Sequence, residues 1–306
     1  MKVRIGYGLG TAGGHDLGGL VDSLERFGFD SLWLSEQLTG GAVDPLIGLA
    51  FAAGRTTKLK LGMSVLVVPG KNPVVLAKQL ASLDVLSKGR LLPAVGLGAP
   101  NNMEHGAFGV ARKERGAWFE EALPLIRRLW TEDGVDHDGP RFHYEALTIL
   151  PKPIQSPPDV WLGGRAPGEL RRVGRLGDGW LPSFCTPDDA AAGRVVVDAA
   201  AAEAGREIDP EHFGALITYA RTAVPDRLIR LIMSRRPDIE PTDIIPIGWP
   251  ALRERLEAFV DAGFSKFVLV PAEPLPSWDE EMAEAADALL DLQRQKPGAF
   301  VQSTGI

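Results

Sequence analysis

Residues 58–98 read KLKLGMSVLVVPGKNPVVLAKQLASLDVLSKGRLLPAVGLG. Leu59–Val68 is almost wholly apolar and β-branched, with no polar alternation. A strand covered on both faces has this pattern, and such strands belong to parallel sheets flanked by helices. Asn72-Pro73 opens a helix, because proline's fixed φ and missing N–H suit the first helical turn. Val75, Leu76, Leu80, Leu83, Val85 and Leu86 give that helix an apolar face, and Gly89 ends it. Leu91–Val95 is the next covered strand. Parallel strands joined through a helix form a right-handed βαβ unit. Its two strands run out at Ser64-Val65 and at Gly96-Leu97-Gly98, so both ends are candidate site positions.

The alternation continues outward from this unit. Val3–Gly8 reads as a first strand, followed by Leu17, Leu20, Val21, Leu24 and Phe27 at helical spacing, with Gly28 as the stop. Ser31–Leu34 is a second strand and residues 44–53 its helix. Downstream, residues 113–130 form a long helix, Val160–Leu162 a fifth strand, Pro167–Leu176 its helix and Gly179–Pro182 a short sixth strand. Helix 188–204, strand 213–220, helix 250–262, strand 264–270 and helix 277–293 complete the series. Residues 133–150 are polar and turn-rich, and 225–247 show no clear period, so both read as insertions. Eight alternations favour an α/β fold of the (β/α)8 TIM-barrel type, with insertions after strands 4 and 7, over an open doubly wound sheet. One domain over residues 1–295 and a poorly ordered tail over 296–306 are expected.

Composition narrows the function. A length of 306 residues with 45% apolar content suits one large barrel. A net charge of −7 leaves no basic excess to neutralise phosphates, which excludes a nucleic-acid partner. Arg171, Arg172 and Arg175 cluster, but at the spacing of a solvated helix face. The single cysteine, Cys185, rules out a disulfide framework and a cysteine-rich metal site. The five histidines form no HExxH pair, so no metal is expected; His137 and His143 in the insertion should be exposed. There is no GxSxG elbow and no GxxxxGK[ST] phosphate loop. No run of about 18 apolar residues occurs, and the chain enters a strand at once, so a cytoplasmic protein without membrane contact is expected. A small-molecule substrate and a homodimer complete these expectations.

The run from Leu61 to Gly98, followed by NNMEHGAFG, PIQSPPDVWLGG and GRLGDGWLP, resembles the bacterial luciferase-like family of flavin- and deazaflavin-dependent oxidoreductases. The resemblance is strong over about residues 1–185 and looser beyond. It implies a (β/α)8 barrel with a ring cofactor at the C-terminal strand ends. FDSLWLSEQLTGGAVDPLIGLAFAAGRTTKLKLG resembles the deazaflavin branch, which implies coenzyme F420, with FMN as the alternative.

Site candidates follow strand by strand. After the second strand come Glu36 and Gln37; the deazaflavin branch commonly has an acid followed by histidine there. A glutamine amide can hydrogen-bond a carbonyl or ring nitrogen but cannot shuttle protons. These two could equally cap or solvate a loop. Ser64-Val65 matches a position where the family often has a cis peptide behind the ring; an ordinary strand is the alternative. Gly96 and Gly98 could leave room for a flat ring or its side chain, or merely make a turn. The GxGxxG fingerprint is incomplete. Asn101, Asn102 and Glu104 follow. Glu104 aligns with an acid that in some deazaflavin members helps protonate substrate, or it serves the helix dipole. Gly163, Gly164, Arg165 and Ala166 precede a helix start, where free N–H groups and a positive charge suit a phosphate; the family places its cofactor phosphate there, and a plain tight turn is the alternative. Asp178 reads as structural, and Trp180 as core. Substrate choice would lie with the two insertions. Besides hydride transfer, an FMN-dependent monooxygenase and a non-catalytic flavin-binding protein remain open, the latter favoured by the glutamine at position 37.

Overall fold

A computed structural model describes residues 1–10, 16–99 and 102–294. Asn101, His15 and the tail from Lys296 lie outside the described residues, as does the side chain of Asn102. The first strand, Arg4–Leu9, pairs in parallel with the eighth, Lys266–Pro271, and with the second, Ser31–Leu34. The third strand is built in two pieces, Lys60–Met63 and Leu66–Val67, and the fourth likewise, Leu91–Leu92 and Ala94–Gly96. The first pieces pair with each other through Leu61↔Leu91 and the second through Leu66↔Val95. The break in the third strand falls at Ser64-Val65, whose peptide is cis. The break in the fourth falls at Pro93, which has no N–H to give a ladder.

Trp161–Leu162 is the fifth strand, Gly179–Trp180 the sixth and Gly214–Tyr219 the seventh. The sixth reaches the seventh through parallel bridges Trp180↔Phe213 and Ser183↔Leu216, and the seventh pairs with the eighth from Gly214↔Lys266 to Tyr219↔Pro271. The parallel circuit thereby closes into a (β/α)8 barrel. Helices Leu17–Phe27, Pro45–Arg55, Pro73–Leu86, Arg115–Thr131, Pro167–Leu176, Pro187–Glu203, Gly248–Asp261 and Trp278–Arg294 surround it. Their starts are capped as the sequence suggests: Asp44 and Asn72 each accept two backbone N–H groups ahead of a proline.

The core has two layers. The larger lies between strands and helices. The inner one fills the barrel with Trp33, Ala94, Trp161, Leu181, Val268 and Val270. Room for Trp33 comes from its neighbours: a Cβ on Gly62 would lie 2.3 Å from its ring. A Cβ on Gly179 would likewise lie 2.5 Å from Trp161. Below them, Lys266 reaches Asp30 at 2.8 Å and closes the N-terminal end.

The two insertions go to different places. The segment 133–150 holds an antiparallel hairpin, Val135–Asp138 with His143–Leu147. It follows a helix rather than a strand, so it hangs on the outer flank, where Glu121 accepts from the backbone of Arg141 and Phe142 at 3.0 and 3.1 Å. His143 is exposed as expected. His137 is not: its ring sits 3.3 Å from Glu121 with 20% of its side chain accessible. The segment 225–247 follows a strand directly and so lies over the barrel's C-terminal end. It contains helix Asp226–Arg235 and a short turn Pro241–Ile244. Leu228 and Ile232, one helical turn apart, pack with Ile244, Ile245, Ala220 and Ala272. Pro237 and Pro241 separate this helix from the short turn that follows it.

Candidate functional site

The C-terminal ends of the strands surround a cavity of about 460 Å3, and a second of about 170 Å3 adjoins it. Ser64, Gly98, Ser183 and Leu216 line both. Glu36, Gln37 and Glu104 face the larger cavity; Val65, Gly96, Gly163 and Gly164 face the smaller. The two together fall within the size that holds a cofactor-sized ligand. Arg165 and Ala166 line neither. Cys185 is buried, and burial pushes its thiol up to about 12, so it is no nucleophile.

Hydrogen bonds lock the ends of strands two and three together. The Ser35 hydroxyl donates to the Ser64 carbonyl at 2.9 Å, and the Glu36 N–H donates to Val65 O at 3.2 Å. The Glu36 carboxylate accepts from the Val67 N–H at 2.7 Å and from Lys71 Nζ at 2.6 Å. Only 3% of its side chain is accessible. Burial outweighs both partners and leaves the Glu36 carboxyl above the ordinary carboxylate range. Lys71 also lies 5.0 Å above the Phe108 ring, and the Arg115 guanidinium approaches the same ring at 5.3 Å. Gln37 faces the cavity with no side-chain hydrogen bond among the described residues.

Glu104 has the opposite electrostatics. Its carboxylate accepts from the Leu38 N–H at 3.1 Å, the Thr39 N–H at 2.8 Å and the Thr39 hydroxyl. Burial works to raise its pKa, but these donors win and hold it below the ordinary range. Such a group stays ionised and staples the loop after strand two to helix Asn102–Ala107. An acid that must release a proton near neutrality needs the reverse shift.

The glycines also have specific neighbours. A Cβ on Gly96 would lie 2.9 Å from Val65, and one on Gly163 would lie 3.3 Å from it, so both make room for the Val65 side chain. Gly98 has φ +84, and a Cβ there would meet Arg115 Nη2 at 2.7 Å. Arg115 donates to Leu97 O at 2.6 Å and to Val110 O at 3.4 Å, while its Nη2 is buried without a hydrogen-bond partner among the described residues. Asp178 is structural as read, taking Arg206 and the Val160 N–H at 2.8 and 2.9 Å. Trp180 is core as read, and its indole N–H also donates to Gly164 O at 2.9 Å, which fixes the Gly163-Gly164 turn.

Several lining residues carry no motif. Lys71 and Arg115 meet their partners only through the fold. Leu228, Leu231, Arg227 and Arg235 come from the inserted helix and wall one side of the larger cavity, whereas the hairpin at 133–150 contributes nothing to it. Arg172, read as part of a solvated face, lines the smaller cavity and holds Glu120 at 3.1 Å. No group of three or more metal-ligating side chains gathers among the described residues, and none of their helices is long and apolar enough to cross a membrane.

The barrel, the paired cavities at its C-terminal mouth and the order of the lining residues along the chain agree with one class of protein. The chain belongs to the luciferase-like monooxygenase family, whose sequence profile matches residues 2–234. Over 165 residues it is 33% identical to an F420-dependent glucose-6-phosphate dehydrogenase of Kineococcus radiotolerans, a match covering 51% of this chain and 49% of that protein. Over 174 residues it is 34% identical to a phthiodiolone/phenolphthiodiolone dimycocerosates ketoreductase of Mycobacterium tuberculosis, covering 55% and 45%. The chain thus spans about half the length of the curated relatives it matches. An F420-dependent secondary alcohol dehydrogenase, solved with an F420–acetone adduct, shares the fold with a TM-score of 0.80 at 19% identity, over 96% of this chain and all of that one. The monooxygenase RslO1 from Streptomyces bottropensis gives 0.77 at 21% identity, over 94% and 99%.

Proposed function

We propose that this protein is an oxidoreductase that holds a deazaflavin, coenzyme F420, across the two cavities and exchanges hydride between it and a small organic substrate. The observation that carries the proposal is the pair of adjoining cavities sharing Ser64, Gly98, Ser183 and Leu216. The relatives named for F420 support the deazaflavin over FMN. The residues fit such a group. Positions 64, 65, 96 and 98 form a close-packed backing with little side-chain bulk, and Arg115 Nη2 beside Gly98 is a donor without an acceptor among the described residues.

When bound, the deazaflavin supplies the two-electron chemistry; the protein supplies placement and proton handling. Glu36, with its raised pKa at the cavity wall, is the group suited to give or take a proton on a substrate oxygen, and Lys71 sets its charge. Glu104 holds the loop that presents Gln37. The Gln37 amide orients a carbonyl or hydroxyl without titrating. Leu228 and Leu231 of the inserted helix set the apolar shape of the substrate end. Residues 1–295 act as one domain. The exposed faces of helices Pro45–Arg55 and Pro73–Leu86, with Ile47 71% and Val75 55% accessible, suit a homodimer contact, which the molar mass in solution tests.

The test of the cofactor is a fluorescence titration of purified protein with coenzyme F420 and, separately, FMN. Saturable binding of the deazaflavin with weak or no binding of FMN is expected. Tight FMN binding without F420 binding would overturn the assignment in favour of an FMN-dependent monooxygenase.

A further inference from the structure

The wall that the inserted helix gives to the larger cavity is not uniformly apolar. Arg227, Leu231 and Arg235 follow one another at four-residue spacing on helix Asp226–Arg235, so they share a face, and all three line the cavity together with Leu228. Little neutralises the two cations. Arg227 donates to the Ala272 carbonyl, and Arg235 makes no hydrogen bond or ion pair among the described residues. The neighbouring Arg236 shows the contrast, since Asp189 holds it at 2.7 Å and Asp238 at 2.9 Å. Glu273 lines the same cavity but is in no ion pair with either arginine among the described residues. A second observation comes from the opposite chain segment. Three described residues other than glycine have positive φ: Lys88 and Ala146 are exposed, whereas Phe184, at φ +52, faces the larger cavity. That conformation is unfavourable for a bulky side chain and gathers at ligand sites. It sets Phe184 against the same apolar cluster, around Leu228 and Ile232, that Leu231 packs on.

We propose that the substrate is an amphipathic anion, with an apolar body against Phe184, Leu228 and Leu231 and a carboxylate or phosphate end taken by Arg227 and Arg235. This deepens the functional reading above and rests on its placing of the substrate beside the inserted helix. The other carboxylates that line this cavity do not cancel the arginines. Glu36 is paired with Lys71 at 2.6 Å, and Glu104 is occupied by the donors of Leu38 and Thr39. A guanidinium presents a planar fork of donors that matches a carboxylate or phosphate. Its long stem adds apolar surface beside Leu231, so one helix face offers both halves of an amphipathic ligand. A neutral ligand of the same shape keeps the apolar contacts and forgoes the charge. Arg227 and Arg235 are therefore specificity-determining residues, and Phe184 gives up backbone comfort to shape the apolar part of the site.

The test is isothermal titration of the full chain, with and without coenzyme F420, using three probes of one chain length: octanoate, octyl phosphate and the uncharged octanamide. The parent should bind at least one of the two anions roughly fivefold tighter than octanamide, or more, the scale of an exposed charge-assisted contact. The tighter of the two anions identifies the charged group. The double variant Arg227→Gln/Arg235→Gln should lose most of that preference and bind octanamide as the parent does. Added salt should shrink the preference in the parent and leave the double variant unmoved. Phe184→Ala and Phe184→Gly should weaken anion and amide alike, and Phe184→Gly should melt higher than Phe184→Ala because glycine accepts the positive φ. No binding of either anion, equal binding of anion and amide, or a preference that survives in the double variant overturns the proposal. So does unchanged affinity in a folded Phe184→Gly. The two readings fail separately. An anion preference that the double variant abolishes, in a protein that binds no F420, fails the deazaflavin reading and leaves the amphipathic anion standing; F420 binding without any anion preference does the reverse.

Discussion

The barrel has a buried lysine–carboxylate pair at each end, and the two carboxyls shift in opposite directions. At the floor, Asp30 meets Lys266 at 2.8 Å and Lys60 at 3.6 Å. Burial works against its charge, but the two ammonium groups outweigh it and hold the Asp30 carboxyl down to about 2. At the mouth, Glu36 has Lys71 at 2.6 Å and one backbone N–H, and there burial wins, with Asp44 adding like charge. The same pairing therefore does different work according to how many charges compensate it. The floor is sealed under Trp33 by a pair that is ionised at neutral pH, although burial brings the Lys266 ammonium down to about 8. The mouth keeps a carboxyl that burial leaves easier to protonate.

The largest effect is expected at the floor. Lys266→Met strands Asp30 in a dry site and should cost about 3–5 kcal/mol in urea unfolding, most of it recovered when Asp30→Asn is added. A loss below about 1 kcal/mol would erase the contrast between the two ends. Lys71→Met should cost less than that, because water reaches a side chain that is 22% accessible, while the Glu36 carboxyl rises further.

pH separates the ends by sign. Asp30 has a folded pKa below its unfolded one, so its stabilisation is present above the ordinary carboxylate range and is lost as pH falls toward about 2. Glu36 has a folded pKa above its unfolded one. The native state then keeps a proton that the unfolded chain has released, so this group lowers stability as pH rises through that interval. Unfolding free energies of the parent and Glu36→Gln, measured between about pH 4 and 7, should diverge with rising pH in favour of the variant. Parallel curves would contradict the raised carboxyl.

The smallest effect is expected at Gln37. Gln37→Ala should lower turnover through lost orientation without changing the shape of the pH–rate profile. Gln37→His adds a group titrating near ~6.5 and should add a limb to that profile. A profile superimposable on the parent's would remove position 37 from the chemistry.

The floor and the mouth also differed in how far sequence could reach them. Covered apolar runs and prolines at helix starts specify the strands and helices, because burial and capping are local in their sequence signal. The strand break at Pro93 was hidden inside a continuous apolar run, whereas Ser64-Val65 stood out as a strand end and a candidate cis position. At the mouth, Glu36, Gln37, Ser64, Gly98 and Glu104 were reachable because strand ends point there. Lys71 and Arg115 were not, since their roles come from contacts the fold creates between distant segments; the 225–247 insertion was read as setting the substrate, but its helix was not. Glu104 shows the limit most clearly: an acid at that position was legible, but the Leu38 and Thr39 donors that hold it ionised were not. The Glu169 carboxylate that accepts the Arg165 and Ala166 N–H groups at 2.8 and 2.9 Å was hidden too, because Ala166 supplies no side-chain oxygen to mark a capping box.

The central measurement is coenzyme F420 binding to the parent and to Ser183→Trp. Ser183 lines both cavities, and an indole there would block the passage between them while leaving the floor pair untouched. Saturable F420 binding to the parent, lost in a Ser183→Trp variant that keeps its circular dichroism and urea midpoint, is the predicted result. F420 binding equally well to both proteins would contradict placement of the ring cofactor across the two cavities.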